Sequence, residues 1–407
     1  MQITRQRKQV LSLYISSLAG VFLGMLNSVI NTNALDPVSY GDVRYVQNII
    51  SFISSLLLVG FFVSGSRLLA LSQDDSHSRR IRGSMCIMLA ITVIVLTLAM
   101  TFVWLFNNKA NVSTLLLISI PLCSNVLLLN YVNTTAQGDN QIGRISLARL
   151  LPSALYCVLS FFIYKHFGAT PIRMLAIFNG INIIVLLSII ISTKPSFINL
   201  RQSFTELFEE NKKYGFHVYI GSVSAVSTTY IAGITLGIFC ENNANVGFYT
   251  LALTLTSPLA MLPSIIGTAY FKTFAIQKRI DRKVLLSSIL ITLLTLVAFI
   301  LLIDFVVDFL YNENYSSVSV YSILLAVGTC LHGLGDMFNR FLGAHGQGKS
   351  LRNASFLCGG VLVFGSFVFV WLWGINGAIM TKILSSCTYF IAILIYYRKF
   401  VNKYSME

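Results

Sequence analysis

The stretch Asn31–Ser72, NTNALDPVSYGDVRYVQNIISFISSLLLVGFFVSGSRLLALS, decides the fold class. An outer turn, YGDVRYVQN, feeds an apolar run that closes on an arginine in SGSRLLA, and the chain then turns polar. A run of about 20 apolar residues is the length that carries a helix across the hydrocarbon core of a bilayer. Half a chain later NANVGFYTLALTL (243–255) feeds a second apolar run that closes on YFKTF (270–274). The echo suggests two similar halves, each a bundle of membrane helices with basic residues at the same edge.

Composition agrees with a membrane protein. Of 407 residues, 55% are hydrophobic and only 11% charged, which excludes a soluble globular chain. The apolar pattern predicts twelve spans, at 10–31, 45–66, 85–106, 113–135, 150–167, 172–192, 217–240, 247–271, 284–307, 317–339, 354–373 and 377–397. Short polar loops separate them, as in a polytopic helical protein and unlike a transmembrane barrel. The start, MQITRQRKQV, precedes an apolar run too long for a signal peptide, so it reads as a retained first span.

The net charge of +14 would suggest nucleic acid in a soluble protein, but its distribution argues against that. With the N-terminus inside, 24 of the 29 Lys and Arg fall on the cytoplasmic side of the predicted spans. Arg44, Lys109, Lys165 and Arg173 fall outside, and Lys382 lies within a span. That asymmetry sets both termini in the cytoplasm and makes the basic excess topogenic, with no nucleic-acid partner implied. The seven cysteines sit in or beside spans without a CxxC pair and read as small packing residues.

Between the halves runs TKPSFINLRQSFTELFEENKKYG (193–215), with Phe197, Leu200, Phe204, Leu207 and Phe208 at helical spacing among charges. This predicts an amphipathic helix lying in the inner interface. Even numbers of spans in each half require a parallel repeat. Residue echoes fit it: Gly41 with Gly247 and Gly168 with Gly374 are 206 residues apart, and Gly138 and Arg144 precede Gly346 and Arg352 by 208.

Ionisable groups within spans are costly in hydrocarbon and rank first as site candidates. Lys382, in GAIMTKILSSC, leads. Asp304 and Asp308 lie one turn apart, and like charges at that spacing repel. Asp336 and Arg340 are also one turn apart, which predicts an internal ion pair. Arg67 closes the second span, and Arg44 and Arg173 stand against the positive-inside trend. No GxxxxGK[ST] loop is present and the five histidines show no metal-ligand spacing, so neither a nucleotide cofactor nor a metal is expected.

Twelve spans in two six-span halves, the basic linker, and the pattern NTNALDPVSYGDVRYVQNI…GSRLLA together resemble the polysaccharide-biosynthesis, O-antigen flippase family (Wzx-type). That family belongs to the multidrug/oligosaccharidyl-lipid/polysaccharide exporter superfamily. The resemblance implies an all-α polytopic membrane protein, twelve transmembrane helices as two parallel six-helix lobes around a central cavity. The lobes would be 1–192 and 216–397, joined by the 193–215 linker and followed by a cytoplasmic tail, 398–407. It implies translocation of an undecaprenyl-pyrophosphate-linked oligosaccharide from the cytoplasmic to the periplasmic leaflet of a bacterial inner membrane. An O-antigen polymerase and a chain-length regulator are the implied partners. Arg67 and Lys382, then Arg44, Arg173 and Arg340, would be the cavity cations, with Asp304 or Asp336 as ion-coupling groups. Two other readings stand beside it. A cation-coupled drug exporter would favour an acidic group mid-span in the first half, where none is found. A membrane polymerase or acyltransferase would need a large outer loop or a placed histidine with carboxylates, and neither is evident.

Overall fold

The computed structural model describes residues 2–72 and 74–405, with side chains described outside 2–15, 221–228, 272 and 403–405. The side chains of Arg5, Arg7, Lys8, Lys272 and Lys403 therefore lie outside the described residues. Every regular element among the described residues is helical. In order, these are α1 (Gln2–Ala34), α2 (Pro37–Leu57), α3 (Phe61–Leu71), α4 (Asp75–Leu105), α5 (Ala110–Ser119), α6 (Asn125–Gly138), α7 (Ile142–Phe167) and α8 (Pro171–Ser192). There follow α9 (Leu200–Glu210), α10 (Phe216–Phe239), α11 (Ala244–Ala269), α12 (Phe271–Phe274), α13 (Arg282–Leu310), α14 (Val318–Ala344) and α15 (Gly348–Ser405).

Among the described residues, eight helical stretches are long and apolar enough to cross a membrane: Asp75–Leu105, Ala110–Gly138, Ile142–Phe167, Pro171–Ser192, Ala244–Ala269, Arg282–Leu310, Glu313–Ala344 and Gly348–Asn402. α2 and α3 make a ninth when taken together, bent by 58° at Val59–Gly60. The first and seventh predicted spans fall on α1 and α10, parts of whose side chains lie outside the described residues. The eleventh and twelfth fall on two arms of α15, which Gly374 interrupts at φ 55°.

The quoted stretch departs from expectation at its start. YGDVRYVQN is not a turn; α2 begins at Pro37, and Asp36 caps it by accepting from the backbone N–H groups of Val38 and Ser39. Proline suits that first position, because its missing N–H would have no helical partner there. Partial burial works against the Asp36 charge, but the Ser39 hydroxyl and the backbone donors outweigh it and hold the carboxyl below its usual range. The run then breaks because Val59 and Gly60 take left-handed backbone (φ 41° and 80°).

The chain divides into two compact units, residues 1–35 with 42–227 and residues 36–41 with 228–407. In the first unit α1 packs along α7, and α3 sits among α4, α6 and α9. α1 and α7 are joined by a polar zipper: Ser16 to Ser146, Asn27 to the Ser153 carbonyl, and Asn31 to Tyr156. Such side-chain bonds hold helices together in lipid, where no hydrophobic difference does so. In the second unit α14 is central, packed on α11, α13 and α15. Its glycines allow close approach: a Cβ on Gly333 would lie 2.7 Å from the Ala260 carbonyl oxygen. The first turn of α2 belongs to this unit, with Tyr40 fully buried against Tyr315 and Gly41 against Asn243.

The 206-residue register reappears in the backbone. Gly168 and Gly374 both have positive φ, 76° and 55°. The counterpart of left-handed Gly346 (φ 68°) is Asn140 (φ 54°), 206 residues earlier, rather than Gly138, which is helical. Asparagine tolerates that conformation better than most residues because its side chain bonds locally.

Candidate functional site

Each unit contains a polar cluster in which a cation stands near tyrosine. In the second unit, α14 presents His332, Asp336, Asn339 and Arg340 at spacings of four, three and one, along one side of the helix. α15 answers with Lys382, Ser385 and Tyr389, spaced three and four apart. The Tyr389 hydroxyl donates to Asp336 Oδ1 at 3.0 Å, and Asn339 Nδ2 donates to the Tyr389 oxygen at 2.8 Å. The His332 ring stacks on Tyr389 with centroids 4.6 Å apart, and its Nδ1 is buried without a hydrogen-bond partner among the described residues. Half-buried Lys382 interacts electrostatically with Asp336, His332 and Cys358. Cys358 lies 3.3 Å from the Ser385 hydroxyl.

Asp336 and Arg340 form no ion pair. The carboxylate takes the Tyr389 hydroxyl across the helix pair, and the exposed Arg340 acts on it only through space. The acid is thereby directed at α15, towards Lys382. An ammonium beside a carboxylate costs less in a low-dielectric interior than either charge alone. It also leaves a cation that an incoming phosphate can compete for.

In the first unit, Arg44 on α2 donates to Gln47 Oε1 at 2.9 Å and acts electrostatically on Tyr156 and Tyr164 of α7. Both tyrosines donate to Asn31 Oδ1 of α1, at 2.6 and 3.0 Å. A guanidinium, a carboxamide and two phenols offer hydrogen-bond donors of the kind that hold phosphate or sugar oxygens.

The remaining candidates are elsewhere. Arg67 on α3 is exposed, paired with Glu210 and set over the Tyr214 ring at 4.9 Å. Arg173 reaches back from α8 to donate to the carbonyls of Phe167 and Gly168, so it caps the end of α7. Asp304 is exposed on α13 and has no hydrogen bond or ion pair among the described residues. No group of three His, Cys, Asp or Glu among the described residues is placed to hold a metal.

Sequence reasoning missed the most buried ion pair among the described residues. Arg82 on α4 donates through Nε and Nη2 to both oxygens of Asp139, at 3.1 and 3.0 Å, and through Nη1 to the Thr193 carbonyl. The two residues are 57 positions apart, and nothing in their local sequence marks them as partners.

A family model described as "Polysaccharide biosynthesis protein" matches residues 7–276. No curated protein sequence matches the chain. Among solved structures, the chain is similar to the inward closed conformation of the lipid II flippase MurJ, with TM-score 0.76, 15% identity, and coverage of 97% of this chain and 90% of that one. It is similar to an inward-facing multidrug resistance MATE transporter of the MOP superfamily, with TM-score 0.74, 16% identity, and coverage of 97% and 98%. A MOP superfamily transporter from Pyrococcus furiosus, described as having a binding pocket of reverse polarity, aligns with TM-score 0.58, 16% identity, and coverage of 97% and 96%. At these identities the likeness is one of fold.

Proposed function

The chain belongs to the polysaccharide biosynthesis protein family, and from that premise we propose that it is a flippase for lipid-linked oligosaccharide. The specific cargo is an undecaprenyl-pyrophosphate-linked O-antigen repeat unit, moved from the cytoplasmic to the periplasmic leaflet of a bacterial inner membrane. The family match over 7–276 carries the reading, and the shared fold with a lipid II flippase supports it.

In this reading the chain crosses the membrane twelve times with both termini cytoplasmic. Two like-oriented six-helix lobes enclose a central cavity and alternate its access. A pyrophosphate gives up water on entering such a space, and fixed cations with neutral donors offset that loss. Lys382 and Arg44 are the cations placed among such donors. Arg67, Arg173 and Arg340 are more exposed or already engaged, and their part is secondary. Asp336, held against Tyr389 near Lys382, is the better ion-coupling group of the two acids, because Asp304 has no partner among the described residues to tune it. Polymerase and chain-length regulator remain the expected partners on the glycan pathway.

Complementation of a flippase-deletion strain tests the assignment of Lys382. Lys382→Glu is expected to abolish surface glycan while the protein stays inserted and abundant, and Lys382→Arg to retain part of it. Full glycan with Lys382→Glu would remove this residue from the mechanism.

A second reading, cation-coupled export of small drugs, is favoured by the comparable fit to the MATE transporter. A deletion strain that becomes drug-sensitive with normal surface glycan would support it over the first.

A further inference from the structure

The linker carries Lys194, Arg201, Lys212 and Lys213 against Glu206, Glu209 and Glu210, close to neutral as sequence. Folding separates these charges. Glu206 turns inward to His77 Nε2 at 2.8 Å, and Glu210 turns inward to Arg67. Ser203, Leu207 and Asn211 are buried on the same inward side, so α9 is anchored on the first unit by its apolar and acidic residues. Glu209 alone stays outward, 3.9 Å from Lys213.

The outward face is what remains. Lys194, Arg201 and Lys212 are exposed and make no ion pair among the described residues. Beside them Phe197, Ile198 and Phe208 are 55%, 68% and 55% exposed. Phe208, Arg201, Lys212 and Thr205 fall within about a quarter-turn of one another on a 3.6-residue helix. Aromatic and aliphatic side chains interleaved with unpaired cations are the make-up of a helix face seated at a headgroup layer.

We propose that this outward face binds anionic phospholipid headgroups, with Arg201, Lys212 and Lys194 meeting the phosphates and Phe197, Ile198 and Phe208 entering the acyl boundary. Charge complementarity selects the occupant. Three unpaired cations favour phosphatidylglycerol over a zwitterionic lipid, and the exposed apolar side chains favour a bilayer over soluble phosphate. The site is independent of the transported cargo. It fastens the segment between the halves to the membrane surface.

The test uses the full-length protein with benzoylphenylalanine at Thr205, an exposed position between Arg201 and Phe208, in vesicles of phosphatidylcholine with a minority of phosphatidylglycerol. Photo-crosslinked lipids are identified by mass spectrometry, with no transport assay involved. Each unpaired cation near an anionic surface is worth about a fivefold preference. The ratio of phosphatidylglycerol to phosphatidylcholine adducts should therefore exceed the ratio of the two lipids in the bilayer on the order of tenfold. The combined change Lys194→Gln, Arg201→Gln and Lys212→Gln, in protein whose unfolding temperature is unchanged, should return the adducts to the bilayer ratio. Adducts in proportion to composition in the unaltered protein would overturn the proposal, as would protein-only adducts or a preference that survives the triple substitution.

Discussion

At the scale of single residues, the structure shows which positions leave no latitude. A Cβ on Gly41 would lie 1.8 Å from the Asn243 carbonyl oxygen, and backbone there cannot move aside cheaply. Gly41→Ala should destabilise the protein by about 1–3 kcal/mol, the usual range for forced overpacking. Thermal unfolding in detergent checks it, with Gly24→Ala, where the added atom meets open space, expected to be neutral. Arg82 makes a different prediction. Removing it leaves the buried Asp139 carboxylate with only the Arg144 guanidinium, 3.8 Å away, so Arg82→Ala should cost about 3 kcal/mol, the lower end for breaking a buried pair. The double change Arg82→Leu with Asp139→Leu should cost less than the single one. The sequence marks Gly41 and Gly247 as glycines 206 residues apart that open the second and eighth predicted spans, and not as neighbours, yet a Cβ on Gly247 would lie 3.3 Å from the Gly41 Cα. Arg82 with Asp139 was not legible, because a salt bridge between distant helices leaves no local pattern.

At the scale of elements, the break between α2 and α3 meets the linker. A π-helical turn, Asn211–Gly215, joins α9 to α10, and a Cβ on Gly60 would lie 2.4 Å from the Gly215 carbonyl oxygen. Asn211 Nδ2 donates to the freed Val59 carbonyl, and Ser64 donates to Asn211 Oδ1. The carbonyl released by the bend is thus satisfied from a segment 152 residues away in sequence. Asn211→Leu would leave buried polar groups unpaired, at about 1–3 kcal/mol. Its expected signature is faster proteolysis of the linker, measured beside Gln202→Leu as an exposed helical control. Apolar length and periodicity foretold a helix across 45–66 and an amphipathic helix in the linker. They could not foretell the 58° bend, because Val59 is an ordinary strand or helix residue whose left-handed backbone is imposed by packing. Nor could they show that α9 buries Leu207 against its own unit while Phe208, edge-on against Phe61, stays more than half exposed.

At the scale of the molecule, the family and superfamily fold could be read from layout and from the Asn31–Ser72 pattern, whereas the internal clusters could be read only in part. Lys382, Asp336 and Arg44 stood out as charges in apolar runs. Tyr389, Asn339, Tyr156 and Tyr164 did not, since aromatic and amide residues are common in spans and acquire meaning only from their partners. The account joins them into one claim: a cation among neutral donors in each unit accommodates a phosphorylated head group within the membrane. The most direct test is leaflet-specific detection of lipid-linked repeat units in cells lacking this chain, re-supplied with the native protein or with Lys382→Glu. The account predicts repeat units trapped on the cytoplasmic leaflet without the native protein and with Lys382→Glu, and periplasmic exposure restored by the native protein alone. Normal periplasmic exposure in the deletion strain would contradict it.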